Sequence, residues 1–219
     1  VYNFAIRKLL VVSNPAAPLK GAVAVPPKTH HRHLSEFELG AFWRSLAVQG
    51  AHATTIAAAR LLMLTMVRKS ELLKAHWSEM DLDAAMWDVP AARMKRRKDH
   101  MVPLSAPALA ILKKLRARAG VSPYVFPSEH RDDRPMSENT VLMLMARMGY
   151  KGRMTGHGFR SVASTWANEN GHDKDAIERQ LAHVPDDKVR AAYNRAEYLP
   201  QRRAMLQAWG DWVMAKPPT

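Results

Sequence analysis

The stretch from His52 to Met66 constrains the fold more than any other part of the chain. Its residues are mostly Ala, Leu and Met, and they occupy most sides of a predicted helix. A helix that is apolar around most of its circumference has to be buried by neighbouring elements. We therefore expect this helix at the centre of the fold.

Amphipathic helical patterns precede and follow this central stretch. Ser35 and Glu38 have the spacing of a capping box, which predicts a helix that begins there and carries an apolar face. Later helices are predicted over Pro107–Ala119, Ser137–Met148, Ser161–Ala167, Asp173–Leu181 and Leu199–Val213. Met143, Met145 and Met148 are expected to fill the core. The tryptophans of the last helix require cover, either from its own domain or from a neighbouring subunit.

Between His76 and Ser105 the pattern changes from helix to strand. Short apolar pieces, including Trp87–Val89 and Met101–Leu104, alternate with polar turns, which predicts an antiparallel sheet of two or three strands. The fold class is therefore mainly α with a small antiparallel β-sheet (α+β). The last turn, Arg93–His100, is a strongly basic hairpin tip. Such a run is usually a solvated surface, although it can also place a lysine on a phosphate.

The charge balance favours an anionic partner. Lys and Arg number 33 against 20 Asp and Glu, which gives a formal net charge of +13. Such an excess indicates binding to nucleic acid or to an anionic surface. Since the chain has no cysteine, disulfides, thiolate metal sites and cysteine nucleophiles are excluded.

The beginning of the chain differs from the rest in composition. Residues 1–14 have the pattern of the end of a helix whose partners lie upstream, and the first residue is Val rather than Met, so we expect a piece of a longer protein. Residues 15–33 are rich in Pro and Ala and end in a basic run, which predicts an extended linker. Residues 34–219 form the main domain with its tail helix.

The basic run of the linker offers two kinds of contact. Lys28 and Arg32 suit a phosphate backbone. His30, His31 and His33 are able to bind a metal ion, but no carboxylate or cysteine lies nearby. We therefore interpret the run as a solvated linker and predict no metal site.

The residues from Met154 to Tyr193 contain the clearest candidates for chemistry. His157 and Arg160 are three residues apart, one helical turn, so both can contact the same small anion. His183 and Tyr193 follow at distances that let the chain fold back. The pattern is that of a phosphate-binding site with a hydroxyl nucleophile. Taken singly, however, a His-x-x-Arg pair arises by chance, and a lone tyrosine is usually a half-buried core ring.

Arg68 is a further candidate, because it follows directly after the apolar helix. Glu71 is one turn further on and is placed to hold its guanidinium. The same spacing equally fits a surface salt bridge, which would contribute only a few tenths of a kcal/mol.

In chain order the candidates are Arg68, Lys95, His157, Arg160, His183 and Tyr193. This order resembles the tyrosine recombinase (phage integrase) family, whose pattern is Arg, a Lys on a β-hairpin, His-x-x-Arg, His or Trp, and the nucleophilic Tyr. Three local motifs are similar as well, namely Val67–Leu72, Val102-Pro103-Leu104 and Leu181-Ala182-His183. The segment Ala191–Arg195 is similar to that of prophage and genomic-island integrases.

The resemblance implies a reaction and a role for each residue. Tyr193 would attack a DNA phosphate to form a 3′-phosphotyrosine link, without metal, ATP or any other cofactor. Arg68 and Arg160 would clamp the non-bridging oxygens, on which negative charge develops in the transition state. His183 would hydrogen-bond the same phosphate, and His157 would accept the phenol proton.

The remaining roles concern the leaving group and the first arginine. Lys95 would act as general acid toward the 5′-oxygen, although Lys98 is an alternative. Glu71 would orient Arg68. Arg96, Arg97 and Lys98 would contact the DNA backbone. Tyr198 is an alternative nucleophile, one turn beyond Tyr193.

The resemblance also implies partners. These are the double-stranded core of a DNA attachment site, further copies of the chain in a tetramer on DNA, and accessory proteins such as an excisionase and a host DNA-bending protein, all in the bacterial cytoplasm at the nucleoid. A type IB topoisomerase is a second hypothesis, since it shares the chemistry. A basic DNA-binding module without catalysis is a third, because it would carry the same charge. We expect the isolated chain to bind DNA weakly and to recombine it little or not at all.

Overall fold

The computed structural model describes residues 2–19, 21–22, 34–183 and 197–215, and the chain divides into two units, residues 1–30 and 31–219. The described part of the first unit contains helix α1 (Tyr2–Arg7) and a 3-10 turn (Ala17–Leu19). Helix α1 buries no side chain. It is shorter than the apolar pattern of residues 2–12 because Leu9 adopts a left-handed conformation, with φ of 54°.

The described part of the second unit is mainly helical and contains one three-stranded antiparallel sheet, as predicted. Its helices are α2 (Glu36–Ser45), α3 (Ala53–Thr65), α4 (Lys69–Leu73), α5 (Ala106–Arg116), α6 (Glu138–Arg147), α7 (Gly158–Glu169), α8 (Lys174–Gln180) and α9 (Leu199–Ala215). Its strands are β1 (Met80–Asp81), β2 (Met86–Val89) and β3 (His100–Pro103), in that order across the sheet. No helix in the described ranges is long and apolar enough to cross a membrane.

Helix α3 lies at the centre of this unit, as its composition predicts. Leu61, Leu62 and Met63 are fully buried, and α3 packs against α5, α6, α7 and α9. The imidazole Nδ1 of His52 accepts a hydrogen bond from the backbone of Thr54 at 3.4 Å and caps the start of the helix. At the other end Met66 has left-handed dihedral angles, φ 56° and ψ 16°, and this conformation stops the helix.

The predicted capping box begins α2. The backbone N–H of Ser35 donates to Glu38 Oε2 at 2.9 Å, and the backbone N–H of Glu38 donates to Ser35 Oγ at 3.3 Å. One methionine prediction is wrong, because Met143 is 63% exposed whereas Met145 is buried. Met143 faces outward since α6 is amphipathic and turns only one side toward α3.

The sheet corrects two positions in the predicted hairpin tip. His100 is the first residue of β3, opposite Val89, and it is buried. Arg93 also turns inward: its Nη2 donates to Glu79 Oε2 at 2.5 Å and its Nη1 to the carbonyl of Glu71 at 3.0 Å. The exposed basic tip is therefore limited to residues 95–98.

The last helix, α9, packs on its own unit. Trp209 is buried, and its indole Nε1 donates to the carbonyl of Met63 at 2.7 Å. Its ring lies 5.2 Å from that of Trp166 and 5.1 Å from that of Trp212, measured between centroids. Where α9 crosses the start of α5, a Cβ on Gly210 would lie 2.8 Å from Pro107 Cγ, so the close approach requires glycine.

Candidate active site

Arg160 is a buried arginine near the start of α7, held by two backbone carbonyls. Its Nη1 donates to the carbonyl of Met66 at 2.5 Å, and its Nη2 donates to that of Leu181 at 2.7 Å. Met66 itself and Ala182, which follows Leu181, are non-glycine residues with positive φ, 56° and 49°. Such backbone conformations are unfavourable and cluster at functional sites. The two irregular helix ends together form a cradle for the guanidinium.

The electrostatic environment of Arg160 favours an anion. Burial, together with the charge of Arg68, lowers the pKa of the Arg160 guanidinium to about 10, against the smaller opposing effects of Glu71 and Glu178. Arg160 is therefore protonated at neutral pH despite its burial. Its Nε is buried and has no hydrogen-bond partner among the described residues. Two guanidinium groups that repel each other form a site whose energy an anion between them would lower.

Arg68 precedes α4 and is held by Glu71, as its spacing predicts. Its Nη1 lies 2.8 Å from Glu71 Oε1, and its backbone N–H donates to Glu71 Oε2 at 2.9 Å. The Glu71 side chain is only 3% exposed, whereas that of Arg68 is 22% exposed. The pair is therefore not an exposed salt bridge on the surface. The carboxylate is buried and presents the guanidinium in one orientation.

His183 lies beside the arginine cradle. Its Nε2 is 3.5 Å from Arg160 Nη2, and its Nδ1 is 2.9 Å from Glu178 Oε2. Since a carboxylate only accepts, Nδ1 carries the proton of this hydrogen bond. The Nε2 edge faces the guanidinium, and the side chain is 42% exposed, so a ligand can reach it.

His157 is at the N-cap position of α7, one turn before Arg160, and is exposed. Its carbonyl accepts the backbone N–H groups of Arg160 and Ser161 at 3.1 and 3.3 Å. The structure therefore places His157 at the rim of the site and Arg160 beneath it.

Lys95, Arg96, Arg97 and Lys98 are exposed on the β2–β3 connection. The connection is anchored at both ends. Arg93 ties its start to the carbonyl of Glu71, and the Asp99 carboxylate accepts the backbone N–H of Ala91 at 2.7 Å. Because Glu71 also holds Arg68, residues 95–98 (the basic loop) and Arg68 are both supported by Glu71. Both Lys95 and Lys98 remain candidates for the general acid.

Three predicted residues, Lys28, Arg32 and Tyr193, lie outside the described residues. The alternative nucleophile, Tyr198, is described: its hydroxyl donates to Asp175 Oδ2 at 3.2 Å. Its φ is 49°, and its carbonyl accepts the N–H of Arg202 at 2.9 Å. In this structure Tyr198 therefore provides the first carbonyl acceptor of α9, and its hydroxyl binds the Asp175 carboxylate.

The sequence did not indicate the buried polar network below the cradle. Gln180 and Arg202 are fully buried, and the Gln180 Nε2 donates to the carbonyl of Thr65 at 2.8 Å. The last carbonyls of α3 are thus satisfied by side chains from three other helices: Met63 by Trp209, Thr65 by Gln180 and Met66 by Arg160. No sequence pattern marks such acceptors, because they belong to the backbone. These bonds provide partners that the end of a helix otherwise lacks.

A cavity of about 630 Å³ lies at the opposite end of α3. It is lined by residues that include His52, Arg60, Lys114 and Tyr124. Its lining residues on α3 extend to Arg60, which is about 9 Å along the helix axis from Met66. Neither Arg68, Arg160 nor His183 lines this cavity.

Comparison with known proteins identifies the family. Residues 32–199 match the phage integrase family. The prophage integrase IntA of Escherichia coli strain K12 is 47% identical over 153 residues, which cover 70% of this chain and 37% of IntA. The integrase of Enterobacteria phage P4 is 37% identical over 229 residues, which cover 97% of this chain and 52% of the relative. The chain thus spans about a third to a half of the length of these relatives.

Solved structures show the same fold. The Tn1549 transposon integrase in complex with a circular intermediate DNA superimposes with a TM-score of 0.69 at 14% identity, over 93% of this chain and 74% of that one. A lambda integrase tetramer bound to a Holliday junction superimposes with a TM-score of 0.62 at 19% identity, over 85% and 56%. The chain therefore belongs to the phage integrase family of tyrosine recombinases, and its fold is that of their catalytic domain.

Proposed function

We propose that the chain is the catalytic domain of a site-specific DNA recombinase that integrates and excises a prophage or genomic island. It would cleave and rejoin DNA strands through a covalent 3′-phosphotyrosine intermediate, without metal or ATP. One observation carries the proposal: Arg160 is fixed by two backbone carbonyls next to Arg68 and His183. The positive charge is thus concentrated and immobilised before any ligand binds.

The arginines suit an in-line displacement at phosphorus. The Tyr193 oxygen forms a bond to phosphorus as the bond to the 5′-oxygen breaks, and negative charge grows on the non-bridging oxygens. Donors that are already oriented toward this charge are worth about 3–4 kcal/mol each in comparable sites. Arg68 would stabilise one non-bridging oxygen from its Glu71 support. Arg160 would stabilise the other through the guanidinium N–H groups that do not bind the two carbonyls.

Two protons must move in this step. A phenol has a pKa of about 10, so Tyr193 requires a base, and His157 at the rim of the site would accept its proton. The 5′-oxygen leaves as a hydroxyl after it takes a proton from Lys95, or alternatively from Lys98. His183, whose Nδ1 is held by Glu178, would hydrogen-bond the same phosphate.

The basic loop would hold the DNA. Arg96, Arg97 and Lys98 are exposed beside the site, and Lys28 and Arg32 of the linker are proposed to contact the same backbone. The Tn1549 and lambda integrases were solved on DNA, the latter as a tetramer. We propose the same partners here, namely double-stranded attachment-site DNA and further copies of the chain. An excisionase and a host DNA-bending protein are proposed as accessory partners.

The domain assignment extends the proposal. Residues 1–14 would be the remnant of an upstream DNA-binding domain, residues 15–33 a linker, and residues 34–219 the catalytic domain. The family match, which begins at residue 32, is compatible with this division. The relatives are roughly twice as long as the chain, which is compatible with an upstream domain that also contacts the DNA.

A nicked suicide substrate tests the reaction. Cleavage near the nick releases a short oligonucleotide, so the protein stays trapped on the DNA and the covalent adduct survives denaturant. We expect the full-length protein to form this adduct, Tyr193→Phe to abolish it, and Tyr198→Phe to retain it. An adduct lost only in Tyr198→Phe would move the nucleophile. If the full-length protein bound DNA but never formed an adduct, the chain would be a DNA-binding module.

A further inference from the structure

We propose that Gln180 is a positioning residue for Arg160. It fixes the two chain segments whose carbonyls hold the guanidinium, and Arg202 in turn fixes Gln180. The inference rests on the proposed function, because it assigns Gln180 and Arg202 to the support of the proposed phosphate clamp. Neither residue belongs to the predicted catalytic set.

Gln180 and Arg160 connect the same two segments at adjacent positions. The Gln180 Nε2 donates to the carbonyl of Thr65 at 2.8 Å. Arg160 bridges the next residue on each side, through the carbonyls of Met66 and Leu181. The end of α3 and the end of α8 are therefore cross-linked twice, once by each side chain. A shift of either helix end would move a carbonyl of the cradle.

The cradle requires this second cross-link for two reasons. Met66 and Ala182 are held at positive φ, a backbone conformation that is unfavourable for non-glycine residues. The charge of Arg68 also repels the guanidinium that the cradle holds. An arrangement that is unfavourable on both counts persists only if the surrounding structure over-determines it.

Arg202 determines the orientation of the Gln180 amide. Its Nε and Nη2 donate to Gln180 Oε1 at 3.0 and 2.9 Å. Because a guanidinium only donates, the amide oxygen must face Arg202, and the NH₂ group must face Thr65. Arg202 is fully buried and also donates to the carbonyls of Met101 on β3 and Glu197 before α9. The amide is thus locked between α9 and the end of α3.

The backbone of Gln180 is tied to the sheet as well. Its carbonyl accepts a hydrogen bond from His100 Nε2 at 3.2 Å. Helix α8 thus ends at a residue bonded to α3, α9 and β3. The residue that follows, Leu181, supplies the cradle carbonyl. Gln180 is therefore the nearest fixed point from which the Leu181 carbonyl is positioned.

The test compares two variants that each remove one hydrogen bond to the end of α3. Gln180→Glu keeps an acceptor for Arg202 but replaces the donor to Thr65 with a carboxylate oxygen. Trp209→Phe is the matched control, because it removes a buried donor to the carbonyl of Met63, which does not touch Arg160. Gln180→Met, of similar volume, replaces Gln180→Glu if the latter fails to fold. If neither Gln180 variant folds while Trp209→Phe does, the role is structural and the proposal fails.

Two readouts separate positioning from general stability. The first is adduct formation by the full-length protein in a single turnover at saturating DNA. We expect the rate of adduct formation to fall tenfold or more in Gln180→Glu, with DNA affinity unchanged. In Trp209→Phe the rate should fall less than twofold, although the melting temperature falls as much as in Gln180→Glu. Equal losses in both variants, or no loss in Gln180→Glu, would overturn the proposal.

The second readout does not depend on activity. In the wild-type protein the hydrogen-bonded Nη groups of Arg160 should rotate slowly and give separate ¹⁵N–¹H signals, assigned with Arg160→Lys. We expect Gln180→Glu to average these signals and Trp209→Phe to preserve them. If the full-length wild type forms no adduct, the proposed function fails while this readout still decides the inference. Signals that stay separate in Gln180→Glu would refute the positioning role.

Discussion

Arg160 Nη1 donates to the carbonyl of Met66 at 2.5 Å, a bond that joins residues 94 positions apart in the chain. Met66 ends α3 because its backbone is left-handed. The residue that ends the central helix therefore also supplies a carbonyl that holds Arg160 in the proposed phosphate site. Arg68 follows two residues later and caps α4. The end of one buried helix therefore places both arginines, and disturbance of that end should affect both.

Arg160→Lys should abolish most of the cleavage. An ammonium is a point charge on a flexible stem and cannot span the carbonyls of Met66 and Leu181 as the planar guanidinium does. We expect adduct formation in a single turnover to fall by about 100-fold or more. Arg153→Lys is the matched control, because Arg153 pairs with Glu38 on an exposed surface and should change the rate less than twofold. A rate within threefold of wild type in Arg160→Lys would contradict the assignment.

Glu71→Gln should uncouple Arg68 from its support. The Glu71 carboxylate accepts from both the side chain and the backbone of Arg68, and an amide can satisfy only part of this arrangement. The free energy of unfolding should fall by about 1–3 kcal/mol, and adduct formation should fall by about tenfold, as expected for a lost charge-assisted bond. Urea unfolding and single-turnover cleavage measure the two effects. Asp133→Asn, in an exposed pair with Arg131, should change neither.

A change of the leaving group should distinguish the roles of Lys95 and Lys98, the two exposed lysines of the basic loop. In DNA with sulfur at the 5′-bridging position the leaving group is a thiol, whose pKa of about 8.5 lets it depart without a proton donor. We expect Lys95→Ala to slow cleavage of normal DNA strongly and to be restored by the sulfur substrate. Lys98→Ala should instead weaken DNA binding and reduce its logarithmic salt slope by about 0.9. If the sulfur substrate instead restored cleavage by Lys98→Ala, Lys98 would be the general acid.

Gly210→Ala should destabilise the docking of α9. Its Cβ would lie 2.8 Å from Pro107 Cγ and 3.0 Å from Ser105 Oγ, so α9 or the start of α5 has to shift. Overpacking of this kind costs about 1–3 kcal/mol, which thermal or urea unfolding would detect. Gly120→Ala, where a Cβ would meet no atom within 4 Å, should stay within about 0.5 kcal/mol of wild type, as surface changes usually do.

Features that depend on neighbours in sequence could be predicted. The apolar circumference of α3, the capping box of Ser35, and the hold of Glu71 on Arg68 all follow from periodicity or from pairs three residues apart. The sheet followed from alternation between His76 and Ser105. Each of these features depends on local spacing, which the sequence shows directly.

Features that depend on backbone acceptors or distant charges could not be predicted. Arg160 and Gln180 donate to carbonyls, and a carbonyl is present at every position of the chain. The basic neighbours of Arg93 and His100 predict a solvated tip, yet Arg93 binds Glu79 and His100 binds the carbonyl of Gln180. The burial of Arg202 is likewise not predictable, since one arginine in a helix with an apolar stripe carries no sign that it is buried.

His100 should make the stability of the protein depend on pH in a defined window. Burial, together with the charges of Arg202 and Arg179, lowers the pKa of its imidazole from 6.5 to about 3. The folded state therefore holds His100 neutral, whereas the unfolded state binds a proton below pH 6.5, so this contribution is complete above that pH and is lost as pH falls toward 3. By linkage, the free energy of unfolding should be about 2 kcal/mol lower at pH 5 than at pH 8 from this group alone. His100→Gln keeps a donor for the carbonyl of Gln180 but cannot titrate, so urea unfolding at both pH values should show the difference shrink by that amount. An undiminished pH dependence in His100→Gln would place the titrating group elsewhere.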